Sequence, residues 1–385
     1  MKKLLYDLSV CQPIGGSKYH GAGVYGHIVF KELANKIKSH IVAYFDKNRF
    51  MDEDVLKTIK DNNIPVINAK EMTLLEAANL YENCSFYSPL YSPTHNQLLN
   101  TPIRGLVTIH GLRNLEMNRD CYEYLYEKNI KGKFKCLLKQ TPYYKKLCDK
   151  YWLQKKKLFT SDNFDFITIS EHSKASICYH YPFVDMERVS VRMSPSSSIG
   201  NYKDIKPYSS EKYYLLISAG RWIKNAYRAI KAFESTIERF PMFEGKMYVV
   251  GLSKNTEVYK KIKDKSRFVF FDYVDRNTLE SLYRGAHTFI YPTLNEGLGD
   301  PPIEAIKYGV PVITSTFGAV SEVCGDSVLY VNPYSEKEIA MRILSLEQEQ
   351  LHNEYSMRGL KRYEMLRKKQ DNDLRLLIED IISML

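Results

Sequence analysis

The sequence predicts an α/β protein with two doubly wound parallel sheets, one in each half of its 385 residues. Three observations predict this. Short, near-continuous apolar runs alternate with helical segments, which is the pattern of parallel strands covered on both faces. The alternation occurs twice, on either side of a stretch rich in Ser, Pro and Gly. The length suits two or three domains, and the composition, 44% apolar and 26% charged, is that of a globular chain rather than a disordered or fibrous one.

In the first half the strand-like runs are Leu4–Val10, Ile41–Phe45, Ile64–Ile67, Ser85–Ser88, Leu106–His110 and Phe166–Ser170, with Val189–Met193 closing that half. After the first run, Tyr25, Val29, Leu33 and Ile37 recur every four residues and predict a helix with one buried face. In the second half the runs are Tyr213–Ala219, Met247–Gly251, Phe268–Tyr273, Thr288–Tyr291, Pro311–Thr314 and Val328–Val331. Helices are expected between them, Lys224–Phe240 and Thr278–Arg284 among them. The expected organisation is therefore a first domain over residues 1–195, a linker over 196–210, a second domain over 211–365, and a C-terminal helix over 366–385. Leu374, Leu377, Ile378, Ile381 and Leu385 give that helix an apolar face to lay against a domain, the first being a candidate. Two doubly wound domains are expected to leave a cleft at the carboxyl ends of their strands, where ligands bind in such folds.

The seven cysteines are scattered, odd in number and form no C-x-x-C pair, so neither a disulfide framework nor a zinc site is expected. No apolar run reaches the roughly 18 residues of a membrane span. Asp7 interrupts the first apolar stretch too early for a signal peptide. A cytoplasmic protein is expected. The net charge is +10, and it is local: from Lys128 to Lys157 there are eleven lysines and one acid, Asp149, with Phe134, Tyr143, Tyr144, Tyr151, Trp152 and Phe159 interleaved. Such a segment suits an anionic membrane surface. A solvated helical face or a nucleic-acid grip shows the same composition; nucleic acid is not the expected partner.

The residues that carry chemistry follow strands. After Thr288–Tyr291 comes PTLNEGLGDPPIEAIKYGVPVITS, residues 292–315. Gly297 and Gly299 allow close backbone approach to a ligand, and Pro301 and Pro302 suit a first helical turn, whose N–H groups favour an anion. Glu296 and Glu304 stand on either side of that site, and carboxylates there are better matched to sugar hydroxyls than to phosphate. After Tyr213–Ala219, Arg221 and Lys224 are expected to open a helix and to neutralise a diphosphate. His110 and Gly111 end a strand of the first half. Gly16–Phe30 is a glycine-rich turn after the first strand. Ser170 and Ser173 suit a helix cap.

The stretch at 296–312 resembles the signature E-G-[FL]-G-x-P-x-x-E then A-x-x-x-G-x-P-V of retaining, nucleotide-sugar-dependent glycosyltransferases of the family-4 type, group 1. Glu296, Gly297, Leu298, Gly299, Pro301, Glu304, Ala305, Gly309, Pro311 and Val312 match it. The turn at Gly21, Gly23 and Tyr25 resembles that family's G-I-G-R-Y loop with Val24 in place of Arg, and Ser218–Asn225 resembles its G-R…K-[GN] segment with a shorter spacing. The resemblance implies a GT-B fold, two Rossmann-like domains facing a central cleft. It implies hexosyl transfer from a nucleoside-diphosphate sugar, with retention and without a metal or other cofactor. Arg221, Lys224, Glu296 and His110 are then the catalytic set, and Gly23, Gly297, Leu298, Gly299 and Glu304 the donor-binding set. The signature's form is similar to that of O-antigen mannosyltransferases, which favours GDP-mannose ahead of a UDP-sugar; the basic aromatic segment Lys128–Lys157 suggests a lipid-linked glycan acceptor, as in cell-envelope polysaccharide synthesis, with the enzyme peripheral at the inner membrane face. A nucleotide-sugar 2-epimerase of the same fold and a non-catalytic binder are the alternatives. Asp52–Asp54 and Asp371–Asp373 mimic a metal-binding D-x-D, but both fall in polar segments and are expected to be solvated.

Overall fold

The computed structural model describes residues 2–13, 18–117, 119–196 and 204–385. The chain forms two compact units. The first comprises Met1–Leu115, Asp149–Ser198 and Arg367–Leu385; the second comprises Glu116–Cys148 and Ile199–Leu366. Residues 116–148, expected in a continuous first domain, gather with the second unit, and residues 367–385 gather with the first.

The first unit holds a seven-stranded sheet: β1 Lys3–Asp7, β2 Ile41–Phe45, β3 Val66–Asn68, β4 Cys84–Ser88, β5 Arg104–Ile109, β6 Phe164–Thr168 and β7 Val189–Val191, in the order β3-β2-β1-β4-β5-β6-β7. Every pairing is parallel. The second unit holds β8 Tyr213–Leu216, β9 Lys246–Val250, β10 Phe268–Phe271, β11 Thr288–Tyr291, β12 Val312–Thr314 and β13 Leu329–Tyr330, in the order β10-β9-β8-β11-β12-β13, again all parallel. Each sheet reverses its winding once, between β1 and β4 in the first and between β8 and β11 in the second. Ligands of such sheets bind where the winding reverses, beyond the carboxyl ends of the two strands. All thirteen strands coincide with the apolar runs of the sequence. The main trimmings are at β1, which ends at Asp7, with Ser9–Cys11 turning into a 3₁₀ helix instead of extending the strand to Val10, and at β8, which ends at Leu216 instead of Ala219.

Helices follow the strands: α1 Gly21–Ile37, α2 Glu53–Asp61, α3 Leu74–Asn79, α4 Arg113–Glu116, α5 Ile130–Leu138, α6 Tyr143–Phe159, α7 Glu171–His180, α8 Ala226–Arg239, α9 Glu257–Lys260, α10 Arg276–Gly285, α11 Asp300–Ile306, α12 Val320–Cys324, α13 Glu336–Ser345 and α14 Glu349–Ile382. Local chemistry fixes their starts. Asp52 accepts from the Asp54 and Val55 amides, so the D-E-D stretch is a helix cap for α2. Thr73 and Glu76 form a capping box on α3, and Ser170 caps α7 through the Ser173 amide at 3.1 Å. Each unit has its own apolar core. Val42, Phe86, Val107 and Phe166 lie in the first, and Leu216, Ile230, Phe233, Val249, Ile290 and Ile313 in the second.

Helix α14 contributes to both units. Its last turns bury Leu377, Ile378 and Ile381 with the first. Asp373, expected to be solvated, is instead buried: it accepts the Met193 amide at 2.9 Å and Lys369 at 2.8 Å, while Asp371 stays exposed. Among the described residues no helix is long and apolar enough to cross a membrane, and no cluster of His, Cys, Asp and Glu could hold a metal ion.

Candidate functional site

In the second unit the chemistry gathers beyond β8 and β11, the two strands that flank its reversal point. After β8 the chain does not enter a helix at Lys224, as the sequence suggests. Trp222–Lys224 form one 3₁₀ turn, Asn225 takes the left-handed conformation (φ +59°), and α8 starts at Ala226. Asparagine tolerates that conformation better than most side chains. It is held there because its amide donates to the carbonyls of Pro292 and Pro333 at 3.0 and 2.6 Å and its oxygen accepts from Arg228. The 3₁₀ turn brings Lys224 inward, to 3% exposure, and leaves Arg221 exposed.

After β11 the loop Pro292–Gly299 is tied to that turn. The Leu294 amide donates to the Ile223 carbonyl at 2.8 Å, and Ala319 donates to the Glu296 carbonyl at 2.9 Å. Gly318 (φ +70°) passes so close that a Cβ there would stand 2.2 Å from the Glu296 oxygen, so a side chain at 318 would displace Glu296. Glu296 is thus fixed from its backbone outward at 7% exposure. The Lys224 ammonium donates to both Glu296 Oε1 and the Tyr291 hydroxyl, and Tyr291 in turn donates to Glu296. Thr293 Oγ1 stands 3.2 Å from Glu296 Oε1. Burial first, and then the Glu296 charge, push the Tyr291 phenol well up, so Tyr291 keeps its proton as a donor.

The second carboxylate, Glu304, sits on α11, which begins after Gly299 (φ +109°) with Pro301 and Pro302 in its first turn, as expected. Its surroundings are different. Arg276 of α10 donates to it at 2.9 Å and Lys307, one turn on, at 3.0 Å. Both cations also meet the buried Glu280. Burial works to raise the Glu304 carboxyl, but the two cations outweigh it and hold the acid below its usual range. Glu304 therefore remains charged.

The sequence alone does not single out Tyr291, Thr293, Arg276, Lys307 or Glu280. Spacing offered two signals, since Lys307 stands three residues after Glu304 and Glu280 four after Arg276, both neighbours on a helix face. A further buried ion pair was equally unmarked. Asp120 receives Arg228 bidentately at 2.8 and 3.2 Å, with the guanidinium between the rings of Tyr122 and Tyr334. It fastens segment 116–148 to α8, and Glu116 of that segment accepts from the Asn295 amide at 2.6 Å.

In the first unit the corresponding reversal point, after β1 and β4, holds Gly23 and His110. Gly23 lies in the first turn of α1, not in the loop that the sequence suggests; Gly16 of that motif lies outside the described residues. Its amide donates to His20 Nδ1 at 3.1 Å, and a Cβ there would stand 2.9 Å from the Cys11 carbonyl. His110 follows β5. Its Nε2 stands 2.8 Å from the Pro89 carbonyl, which can only accept, so Nε2 carries the proton and Nδ1 is the acceptor atom. Tyr25 packs edge-on to the ring at 5.0 Å. Burial pushes the His110 imidazole down to about 4, so it is neutral at physiological pH. Gly297, Leu298 and Gly299 lie with Glu296 in the second unit, and His110 and Gly23 lie together in the first.

Residues 201–378 match the family model described as glycosyl transferases group 1. Over 185 residues the chain is 33% identical to the O-antigen chain mannosyltransferase RfbU of Salmonella typhimurium, covering 47% of this chain and 50% of that protein. It is 38% identical over 92 residues to the O-antigen chain mannosyltransferase B of Escherichia coli, 24% of each chain. The chain spans about half the length, or less, of these curated relatives. Among solved structures, Anabaena Alr3699/HepE in complex with UDP-glucose matches over 100% of both chains with a TM-score of 0.67 at 12% identity. At that identity the likeness speaks for the fold alone, two Rossmann-like parallel sheets of the GT-B class.

Proposed function

We propose that this chain, whose residues 201–378 belong to the glycosyl transferases group 1 family, moves a hexosyl unit from a nucleoside-diphosphate sugar to an acceptor hydroxyl with retention of configuration. The single observation that carries the reading is the Lys224–Tyr291–Glu296 cluster at the reversal point of the second sheet, a buried cation already paired beside a glycine-rich loop. An arriving diphosphate competes with Glu296 for Lys224. The lysine then serves the leaving group, with Arg221 beside it, and Glu296 turns its lone pairs to hydroxyls of the transferred sugar. Glu304, held charged by Arg276 and Lys307, keeps lone pairs for the ribose hydroxyls. His110, neutral, offers Nδ1 to a sugar hydroxyl.

In the chemical step the bond from C1 to the phosphate oxygen breaks and a bond from C1 to the acceptor oxygen forms on the same face. The acceptor proton passes to the departing diphosphate oxygen. Protein cations supply the charge compensation that a metal gives elsewhere. The mannosyltransferase names of the two curated relatives support a GDP-mannose donor ahead of a UDP-sugar. They also support a polysaccharide acceptor, for which a lipid-linked glycan is our reading, reached at an anionic membrane surface through Lys128–Lys157.

The test is transfer from GDP-mannose and from UDP-hexoses to a lipid-linked glycan, with product anomers assigned by NMR and a chelator in parallel. Retention with undiminished rate in chelator supports the reading. Product formed without acceptor identifies an epimerase. Binding of nucleotide with no turnover in any combination identifies a binder.

A further inference from the structure

The basic segment folds into two helices, and the first presents the wrong face to solvent for an ordinary surface helix. On α5, Ile130, Phe134 and Leu137 are 86%, 60% and 55% exposed. They recur at i, i+4 and i+7, so they form one stripe. The inward face is small instead: Cys136 is buried, and a Cβ on Gly132 would stand 2.2 Å from Glu127 Oε2. Nor is the helix loosely hung. Asn129 caps it through the Gly132 amide at 2.7 Å, and Lys139 and Lys133 bind Glu123 and Glu257 at 2.6 and 2.9 Å. The preceding turn is anchored by Leu125 and Tyr126 in the core of the second unit, where the Tyr126 hydroxyl accepts the Tyr227 amide at 2.8 Å. Around the stripe Lys128, Lys131 and Lys135 are exposed, and at the start of α6 so are Tyr143, Lys145 and Lys146.

We infer that α5 is the element that enters an anionic lipid surface, with Ile130, Phe134 and Leu137 inserted among the acyl chains and the flanking lysines at the phosphates. This rests on the membrane reading given above and says which atoms carry it. Charge selects the occupant. A second copy would set one lysine-rich face against another. Nucleic acid would use stacking rings and bidentate arginines, whereas the stripe is two-thirds aliphatic and the segment from 128 to 157 contains no arginine. An apolar stripe rimmed by lysines fits headgroups over hydrocarbon.

The experiment is co-sedimentation with phosphatidylcholine vesicles with and without phosphatidylglycerol, using wild type, Ile130→Ser/Phe134→Ser/Leu137→Ser and Lys128→Gln/Lys131→Gln/Lys135→Gln. Wild type is expected to bind only the anionic vesicles, and the serine variant to lose at least about tenfold in partitioning. Phe134→Trp is expected to emit further to the blue on binding and to be quenched by brominated acyl chains. Calorimetric binding of nucleotide is expected to be unchanged in every variant, which also establishes that each is folded. Undiminished binding of the serine variant overturns insertion and leaves a purely electrostatic contact. Absence of wild-type binding overturns the membrane reading with it. A wild-type dimer dissociated by the serine substitutions, with vesicle binding intact, assigns the stripe to a second copy. None of these outcomes touches the sugar-transfer reading, which the nucleotide titration follows separately.

Discussion

Glu296 and Glu304 stand eight residues apart on one loop and helix, yet their environments differ. Glu296 accepts from Lys224 and shares that lysine with a phenol. Glu304 is gripped by two cations that are themselves tied to a third acid, Glu280. The difference teaches what each can do. A carboxylate can exchange a lysine partner for a ligand when that lysine finds a new anion in the ligand, because neither is then left uncompensated. A carboxylate inside a four-membered network cannot leave without stranding buried charge. In the proposed reaction the first would change partners and the second would hold its position.

Four substitutions or titrations press on that contrast. The largest effect is expected at the carboxylate paired with Lys224: Glu296→Ala should lower the rate of sugar transfer by about 10²–10³-fold, the size found when a preorganised polar contact to the reacting centre is removed, with nucleoside-diphosphate affinity within about threefold of wild type. Steady-state kinetics with calorimetry checks this, and a large loss of affinity would assign Glu296 to the nucleotide instead. At the fixed carboxylate the order reverses. Glu304→Ala should weaken nucleotide binding about tenfold and cost roughly 3 kcal/mol of stability, since it leaves Arg276 and Lys307 to share Glu280. Chemical denaturation reads the second quantity, and an unchanged midpoint would mean that the network does not hold the helix.

A smaller effect is expected at the phenol. Tyr291→Phe removes one buried hydrogen-bond partner of both Lys224 and Glu296 and should cost about 1–2 kcal/mol of stability with a several-fold lower rate. The last bears on the first unit, where His110 is neutral. His110 is pushed down to about 4 by burial, against about 6.5 when unfolded. Between those values the unfolded chain binds a proton there that the folded chain does not. Stability should therefore be independent of this group above about pH 6.5 and fall as pH falls from 6.5 toward 4. The imidazole resonances followed by NMR should not titrate between pH 5.5 and 8; titration near 6.5 would mean a solvated ring.

The same contrast explains what could be read from residues alone. The strands were legible because parallel strands are apolar throughout, and all thirteen runs correspond to strands. Glu296, Gly299 and Glu304 were legible because a helix opening on two prolines after a glycine loop is a local pattern. The partners were not. Tyr291 lies inside a strand, where its ring reads as core. Arg276 comes from another helix, 28 residues earlier, and Asp120 reaches Arg228 across 108 residues. Residues alone put Lys224 at a helix start because nothing local announces that Asn225 turns left-handed; that follows from the two carbonyls, Pro292 and Pro333, that hold its side chain. Likewise the outward stripe of α5 was hidden in its composition, since periodicity shows that apolar residues share a face but not which way the face points.

The most direct test of the account is calorimetric titration of GDP and UDP into wild type, Lys224→Met and Glu296→Ala. If Lys224 leaves Glu296 for the diphosphate, one nucleotide binds wild type, Lys224→Met binds it at least about tenfold more weakly, and Glu296→Ala binds it as well as wild type or better. Equal affinity of wild type and Lys224→Met would contradict the exchange and leave the lysine a structural partner of Glu296.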